Sequence, residues 1–415
     1  MLFGSSGIRR RYDASLINLA VRVGSAVALS HNDIVLGRDA RTTGPVLASA
    51  FISGVLSSGG DITYGGIAPT PTVAYATKKR SAGCMITASH NPEPYNGMKL
   101  VNPDGSAFTK VQQKEVEEEI NDFHWKDWAN QGSEREADII TPHMDAILHS
   151  VSIESDISVV LDCGNGAGSV ITPELLASAG VKTHCLNCNL SGRFARPSEP
   201  LESNLSYVGG LVRSLGSDCA LIHDGDADRF MAFDNKGRYI GGDHLLILFA
   251  KYLGAEKVVT TVDASMAIEE VAEVHRTPVG DCYVSEELLS WGEFGGEPSG
   301  SWLFPNHSLC PDGIYAAALF CRIASEWNIA DEIDNLPNYP IIRESFPCDD
   351  PHALLSARGA ENPTDGIRLS EEDGWCLIRA SGTEPKVRIT AEGRTGDVAS
   401  EMAEKGRSLL KTREY

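Results

Sequence analysis

No stretch of this 415-residue chain reaches the roughly 18 consecutive apolar residues that a membrane span needs. No apolar segment of signal-peptide length precedes the first polar residues either, so a cytosolic location is expected. Basic residues are scarce: 36 Lys and Arg stand against 57 Asp and Glu, a formal net charge of −21. That balance argues against nucleic acid, whose phosphates reward a basic face. It also sets a condition for any enzyme of anionic substrates, since only a local cluster of Arg and Lys would outweigh the far field. The G-x-x-x-x-G-K-[ST] pattern of a P-loop is missing. A disulfide framework is missing too. The ten cysteines are scattered through a long chain and read as reduced thiols. Cys185-Leu-Asn-Cys188 has C-x-x-C spacing, but no second pair or His-rich segment accompanies it.

What is present reads as a folded protein of several domains, with 42% apolar and 22% charged residues. Short β-rich runs alternate with longer helical stretches, the pattern of α/β layers. Strands are expected at Asp33–Gly37, Asp61–Tyr64, Ser158–Asp162, Val181–Cys185 and Lys257–Val262. Helices are expected over Pro45–Leu56, Pro173–Ala179 and Met266–Val274. Toward the C-terminus, Asp365–Leu369, Gly374–Arg379 and Lys386–Glu392 suggest a strand meander, and Val398–Thr412 a final helix. Polar stretches near residues 146–156, 236–243 and 332–345 mark candidate boundaries, the last holding the linker-like Asn335-Leu-Pro-Asn-Tyr-Pro340.

Four segments carry chemistry. Thr87-Ala-Ser-His-Asn-Pro92 follows an apolar run and continues to Tyr95-Asn-Gly-Met-Lys99. It reads either as an exposed serine nucleophile at a strand end or as an ordinary turn. Asp224-Gly-Asp-Ala-Asp-Arg229 sets three carboxylates at alternate positions, a spacing that can converge on one hard cation such as Mg²⁺. Without a cation, three close aspartates repel. An EF-hand is excluded, because the twelfth position from Asp224 is Asn235. In Gly295-Gly-Glu-Pro-Ser-Gly300, Glu297 and Ser299 have the groups to read sugar hydroxyls, although a plain turn also explains the glycines. In Arg379-Ala-Ser-Gly-Thr-Glu-Pro-Lys-Val-Arg388, a guanidinium, two hydroxyls and backbone N–H groups form an inventory that binds phosphate.

Together these segments, with Phe3-Gly-Ser-Ser-Gly-Ile-Arg9, resemble in order the motifs of the α-D-phosphohexomutase superfamily over nearly the whole chain. Within it the chain looks most like the phosphoglucosamine mutase branch, from the opening motif, Val279-Gly-Asp281 and the Ser-Gly-Thr-Glu-Pro form of the last one. The resemblance implies three similar α/β domains plus a smaller α+β C-terminal domain around a central cleft. The corresponding division is 1–150 with the phosphoserine loop, 151–240 with the metal loop, 241–335 with the sugar loop and 341–415 with the phosphate clamp. It implies that Ser89 is phosphorylated and that Asp224, Asp226 and Asp228 hold Mg²⁺ against its phosphate. Arg9, Lys99 and Arg229 then line the reacting phosphoryl group. Glu297 and Ser299 read the sugar, while Arg379, Ser381, Gly382, Thr383 and Arg388 hold the other phosphate. Lys99 and His90 are candidates for moving the hydroxyl proton, Lys99 slightly ahead.

The implied reaction interconverts glucosamine 6-phosphate and glucosamine 1-phosphate through a 1,6-bisphosphate, with a hexose 1,6-bisphosphate as activator. A phosphomannomutase or phosphoglucomutase on the same scaffold is the alternative, and a phosphatase or a sugar-phosphate sensor the reading of a different class. Two positions depart from the family pattern: Ser301 stands where many members have His, and Arg10 replaces the glycine after Ile-Arg.

Overall fold

Alternation of β-branched runs with amphipathic stretches produces four sheets, each with its own helices, in the computed structural model. It describes residues 2–4, 7–154, 156–360, 366–380 and 385–411. The first sheet is built from β1 (Ile8–Arg11), α1 (Ala14–Ser30), β2 (Asp33–Arg38), α2 (Gly44–Ser57), β3 (Asp61–Ile67), α3 (Thr70–Thr77), β4 (Ala82–Ile86), β5 (Tyr95–Val101), α4 (Lys110–Glu119) and β6 (Glu134–Glu136). Its strand order is β1-β5-β4-β2-β3-β6. The strands β4, β2, β3 and β6 run parallel, and the β5–β1 edge returns antiparallel. All five residues of β4 are buried, as expected for a strand covered on both faces.

After α5 (Ile140–Ser150), the second unit comprises β7 (Ser158–Asp162), α6 (Thr172–Ser178), β8 (Lys182–Leu186), α7 (Val208–Leu215), β9 (Cys219–His223), β10 (Phe230–Phe233) and β11 (Tyr239–Ile240), in sheet order β11-β10-β9-β7-β8. The third comprises α8 (Gly242–Leu253), β12 (Lys257–Thr261), β13 (Glu273–Thr277), α9 (Asp281–Leu288), β14 (Phe294–Glu297), β15 (Ser301–Leu303), α10 (Gly313–Glu326) and α11 (Ile329–Asp334), in order β13-β12-β14-β15. The last has β16 (Ile341–Pro347), α12 (Pro351–Ala357), β17 (Ile367–Glu371), β18 (Gly374–Ala380), β19 (Lys386–Gly393) and α13 (Gly396–Lys411). Its sheet, β16-β19-β18-β17, is wholly antiparallel. Three α/β domains plus a smaller α+β domain is therefore the fold class, as the sequence implied.

One expected helix is overturned. Met266–Val274 is a single 3-10 turn, Met266–Glu270, followed by β13. The Ser265 hydroxyl caps that turn at Ala267 N–H, and Val274 then pairs with Val258 in a parallel ladder. The ladder outweighs the local helix preference of Ala-Ile-Glu-Glu.

The second and third units share one apolar core, in which Phe230, Phe249, Phe294, Trp302 and Phe320 are all buried. The Trp302 indole N–H donates to the Phe230 carbonyl at 2.8 Å, and the Phe230 and Phe320 rings lie 5.5 Å apart. The first and last units keep separate cores. The last unit is tied to the third through buried Glu392, which accepts from Ser265 Oγ (2.5 Å), Met266 N (2.7 Å) and Trp375 Nε1 (2.5 Å). The ten cysteines are free thiols. Among the described residues no helix is long and apolar enough to cross a membrane.

Candidate active site

The three α/β units place their chemistry-bearing loops at one equivalent position. In each, a strand of the parallel set is followed directly by its antiparallel neighbour: β4 by β5, β9 by β10 and β14 by β15. The connections contain Ser89, the three aspartates and the Glu-Pro-Ser-Gly turn respectively. Each loop thus leaves the carboxyl end of a parallel-set strand, where open α/β sheets bind ligands.

Ser89 lies in the left-handed region at φ 48°, a conformation that costs a non-glycine residue energy unless its surroundings enforce it. They do so here. Its N–H donates to Thr87 Oγ1 at 2.8 Å, and that hydroxyl donates to Asp39 Oδ2 at 2.6 Å. The buried Arg41 guanidinium uses all five N–H donors. Its Nε donates to Asp39 Oδ2 at 3.0 Å. Nη2 reaches the carbonyls of Ser89 (2.7 Å) and Asn91 (2.6 Å), and Nη1 those of Pro92 (2.8 Å) and Tyr95 (2.9 Å).

The expectation of an exposed nucleophile is corrected: Ser89 is only 1% exposed. The cover comes from the second unit. A Cβ on Gly225 would sit 2.8 Å from the Ser89 carbonyl, and Ser198 Oγ donates to that same carbonyl at 3.2 Å. The Ser89 hydroxyl donates to Asp224 Oδ2 at 2.9 Å, across the junction of the two units.

The three aspartates converge. Carboxylate oxygens from Asp224, Asp226 and Asp228 lie within 4.8 Å of one another, all buried. Ala227 turns the loop at φ 53°, and Gly313 at the start of α10 packs so tightly beneath it that a Cβ would meet the Arg229 carbonyl at 2.5 Å. Lys99 Nζ donates to Asp226 Oδ2 at 2.9 Å and also to Asp228 Oδ2. Thr70 Oγ1 donates to Asp226 Oδ2 at 2.5 Å.

Burial and the neighbouring carboxylates of Asp228 and Asp226 push the Asp224 carboxyl well up, and burial with Asp226 raises Asp228. Burial would raise Asp226 as well, but the Lys99 ammonium and the Thr70 hydroxyl hold it below the usual range. Asp226 Oδ1 and Asp228 Oδ1 are buried without a hydrogen-bond partner among the described residues. Mutual repulsion, two orphaned oxygens and an all-oxygen donor set fit a hard divalent cation.

Cations surround the pair of loops. Arg9 on β1 donates to Asn91 Oδ1 at 3.5 Å, and its Nε is buried without a partner among the described residues. Arg229 Nη1 reaches Glu199 Oε1 at 3.4 Å; burial would lower its pKa, but Asp224 and Asp228 hold it up. His90 Nδ1 is 3.5 Å from Ser89 Oγ. Burial first, then Arg229, Arg9 and Lys99, push that imidazole down to about 2, so it is neutral. Burial would also lower Lys99, but Asp226 and Asp228 keep its ammonium charged above the ordinary lysine range.

On the sugar-loop side, Glu297 is buried and accepts from Gly280 N–H at 2.9 Å, with Ser299 Oγ 3.4 Å from its other oxygen. Burial, Asp281 and Asp263 push its carboxyl up to about 8. Arg379 on β18 is 3.7 Å from Asp263 Oδ2 and stands opposite Arg388 in the ladder with β19. Ser381, Gly382 and Thr383, expected in the clamp, lie outside the described residues, as do Ser5 and Ser6 of the opening motif.

Models of the phosphoglucomutase/phosphomannomutase family match in four parts. Alpha/beta/alpha domains I, II and III cover residues 1–126, 141–237 and 241–338, and the C-terminal domain covers 346–408. The chain belongs to the phosphoglucomutase/phosphomannomutase family. A probable phosphoglucosamine mutase of Methanococcoides burtonii is 44% identical, over 97% of this chain and 98% of its own. A phosphoglucosamine mutase of Methanococcus maripaludis is 41% identical, over 99% and 98%. The same fold is seen in a phosphoglucomutase/phosphomannomutase family protein of Burkholderia thailandensis, at TM-score 0.87 and 24% identity, covering 99% of this chain and 97% of that one.

Within this phosphoglucomutase/phosphomannomutase fold, several site-shaping residues were not singled out in the sequence: Asp39, Arg41, Thr70, Thr87 as a hydrogen-bond partner, and Ser198. Arg41 had one readable signal. Gly37-Arg-Asp-Ala-Arg41 spans the carboxyl end of β2, next to β4 in the sheet. A second buried network supports the aspartate loop from behind, where Arg196 Nη2 donates to the His223 carbonyl at 2.7 Å and Nε to Asp162 Oδ1 at 3.3 Å.

Proposed function

We propose that this chain is a phosphoglucosamine mutase that works through a phosphoserine at Ser89 and a glucosamine 1,6-bisphosphate. The observation that carries the reading is the buried Ser89 hydroxyl, 2.9 Å from Asp224 of a three-carboxylate site and ringed by Arg9, Lys99 and Arg229. A hydroxyl so enclosed is protected from bulk water, which favours return of the phosphoryl to the sugar over its loss by hydrolysis. The names of the Methanococcoides burtonii and Methanococcus maripaludis relatives point to the glucosamine substrate.

In the first half-reaction the bond between phosphorus and Ser89 Oγ breaks as a bond forms to the free sugar hydroxyl. The hydroxyl proton ends on Ser89 Oγ. After the bisphosphate turns over, the same steps run in reverse with its other phosphate. Asp224, Asp226 and Asp228 would hold Mg²⁺, which when bound supplies Lewis-acid neutralisation of phosphoryl oxygens. Arg9 and Arg229 offer guanidinium groups to those same oxygens.

Lys99 and His90 are both candidates for moving the hydroxyl proton. The Lys99 ammonium is held charged by Asp226 and Asp228, and Mg²⁺ on those carboxylates would offset that hold. His90 is neutral and close to Ser89 Oγ, and a phosphoserine carrying about −1.5 to −2 charges would offset the cations that depress it. Asp281 gives the sugar site an acidic side suited to the amino group of glucosamine, and a cationic amino group beside Glu297 would favour its ionised form. Arg379 and Arg388, with residues 381–383, are assigned to the phosphate that is not reacting.

Turnover of glucosamine, glucose and mannose phosphates, measured side by side with Mg²⁺ and bisphosphate activator, tests the reading. The highest kcat/KM is expected for glucosamine phosphate, with weaker activity on the others because both phosphate contacts are shared. A preference for glucose or mannose phosphate would reassign the substrate. Steady release of inorganic phosphate in place of isomer would overturn the mutase reading.

A further inference from the structure

A second cluster of potential metal ligands lies outside the reacting groups. His143 on α5, His307 in the loop after β15 and Asp312 at the N-cap of α10 bring Nε2, Nε2 and Oδ2 together. Asp312 Oδ2 is 2.9 Å from His143 Nε2 and 3.3 Å from His307 Nε2, and the two ring nitrogens are 3.3 Å apart. A tetrahedral ion with bonds of about 2.0–2.1 Å separates neighbouring ligand atoms by about 3.3–3.4 Å. The observed triangle is close to one face of that tetrahedron.

The atoms behind these ligands are already committed. His143 Nδ1 is 2.9 Å from Thr72 Oγ1. The second Asp312 oxygen accepts from Ile314 N at 3.0 Å and Tyr315 N at 2.9 Å. These contacts fix ring and carboxylate orientation as outer partners do at metal sites. Tyr75 stacks on both rings, at 5.2 and 5.8 Å between centroids, and Tyr315 lies 4.6 Å from His307. His143 and Asp312 are fully buried, while His307 borders a cavity also lined by Ser150, Asn306 and Tyr315.

The competing arrangement is two imidazole N–H groups donating to one carboxylate oxygen. It requires both N–H dipoles to point at that oxygen while facing each other at 3.3 Å, or leaves one ring nitrogen with only a long contact. A cation removes that conflict, because both rings then offer lone pairs to the same point.

We propose that His143, His307 and Asp312 form a site for one borderline divalent cation of the zinc class, with water from the adjoining cavity completing the shell. Nitrogen-rich ligation sets it apart from the all-oxygen aspartate site. The ion would join α3, α5 and the start of α10. It would also brace the aspartate site, since Thr70, in the same turn of α3 as Thr72, bonds Asp226.

The test is calorimetric titration of the chelator-treated full-length protein with Zn²⁺ in excess Mg²⁺, with Co²⁺ absorption as the geometric readout. A Cys185→Ser/Cys188→Ser background excludes thiol ligation. One tight equivalent is expected in the wild type and in this background, with tetrahedral Co²⁺ bands and no sulfur charge-transfer band. Thr72→Val should weaken Zn²⁺ binding about 10–100-fold, and His307→Ala, checked for fold by circular dichroism, by more. No stoichiometric Zn²⁺ in the wild type, loss of the site with the two cysteines, or unchanged affinity in both Thr72→Val and His307→Ala would overturn the assignment.

Discussion

Replacing Arg41 by lysine isolates what holds Ser89 in its left-handed conformation. The change keeps a positive charge beside Asp39, so no buried carboxylate is abandoned. It does reduce five N–H donors to three. Four carbonyls and one carboxylate are served by Arg41 in the native site, so at least two of these acceptors lose the guanidinium, although Ser89 O, Asp39 Oδ2 and Pro92 O each keep a second donor in Ser198, Thr87 and Tyr95 N–H. At about 0.5–1.5 kcal/mol for each net hydrogen bond lost, the substitution should destabilise the first domain by about 1–3 kcal/mol. The kinetic effect should be of a different kind, because Arg41 touches the loop backbone and not the substrate. A displacement of Ser89 by about 1 Å would lower phosphoryl transfer about 100-fold, with a much smaller change in KM. Thermal melting and rapid-quench measurement of a single phosphoryl transfer read the two effects separately. An Arg41→Lys enzyme with native melting and native transfer rate would refute the view that this guanidinium shapes the nucleophile.

Asp226→Asn removes a charge that Lys99 and Thr70 both engage; Mg²⁺-dependent turnover should be lost with the fold retained, and undiminished metal-dependent turnover would contradict the site. Arg379→Ala should raise KM and lower kcat/KM about 10–100-fold through loss of a charge-assisted phosphate contact of about 1.5–3 kcal/mol, whereas unchanged kinetics would remove Arg379 from the site. Glu297 has a folded pKa of about 8 against an ordinary 4.5, so between these values the folded protein holds a proton that the unfolded chain releases. Its contribution to stability is complete below the ordinary value and declines as pH rises through the window. Glu297→Gln should flatten that decline in melting curves taken from about pH 5 to about pH 8, and an unaltered pH slope would show that another group titrates.

The chemistry-bearing segments were legible because each concentrates its reactive groups within six to ten residues. Asp224, Asp226 and Asp228 needed only alternate spacing to suggest a shared cation. The α/β units were legible from periodicity, and β7 falls at the expected Ser158–Asp162. Burial of Ser89 was not legible, because its cover, Gly225 and Ser198, arrives from another domain more than a hundred residues later. Arg41 acts mainly on backbone carbonyls, which leave no mark on side-chain identity, so its place at the carboxyl end of β2 is the one trace it leaves in the sequence. The helix expected over Met266–Val274 failed where a neighbouring strand offered Val274 a ladder. Thr72, His143, His307 and Asp312 are spread over 241 positions, so only folding makes them a cluster.

The central claim is that Ser89 carries and returns the phosphoryl group, and peptide mass mapping after exposure to a hexose 1,6-bisphosphate labelled in its phosphates tests it most directly. One labelled phosphoryl per chain is expected, on the peptide containing Ser89, which passes to glucosamine monophosphate when that substrate is added. The claim is contradicted if the label sits on another residue, stays on the protein during turnover, or proves dispensable because Ser89→Ala retains full activity.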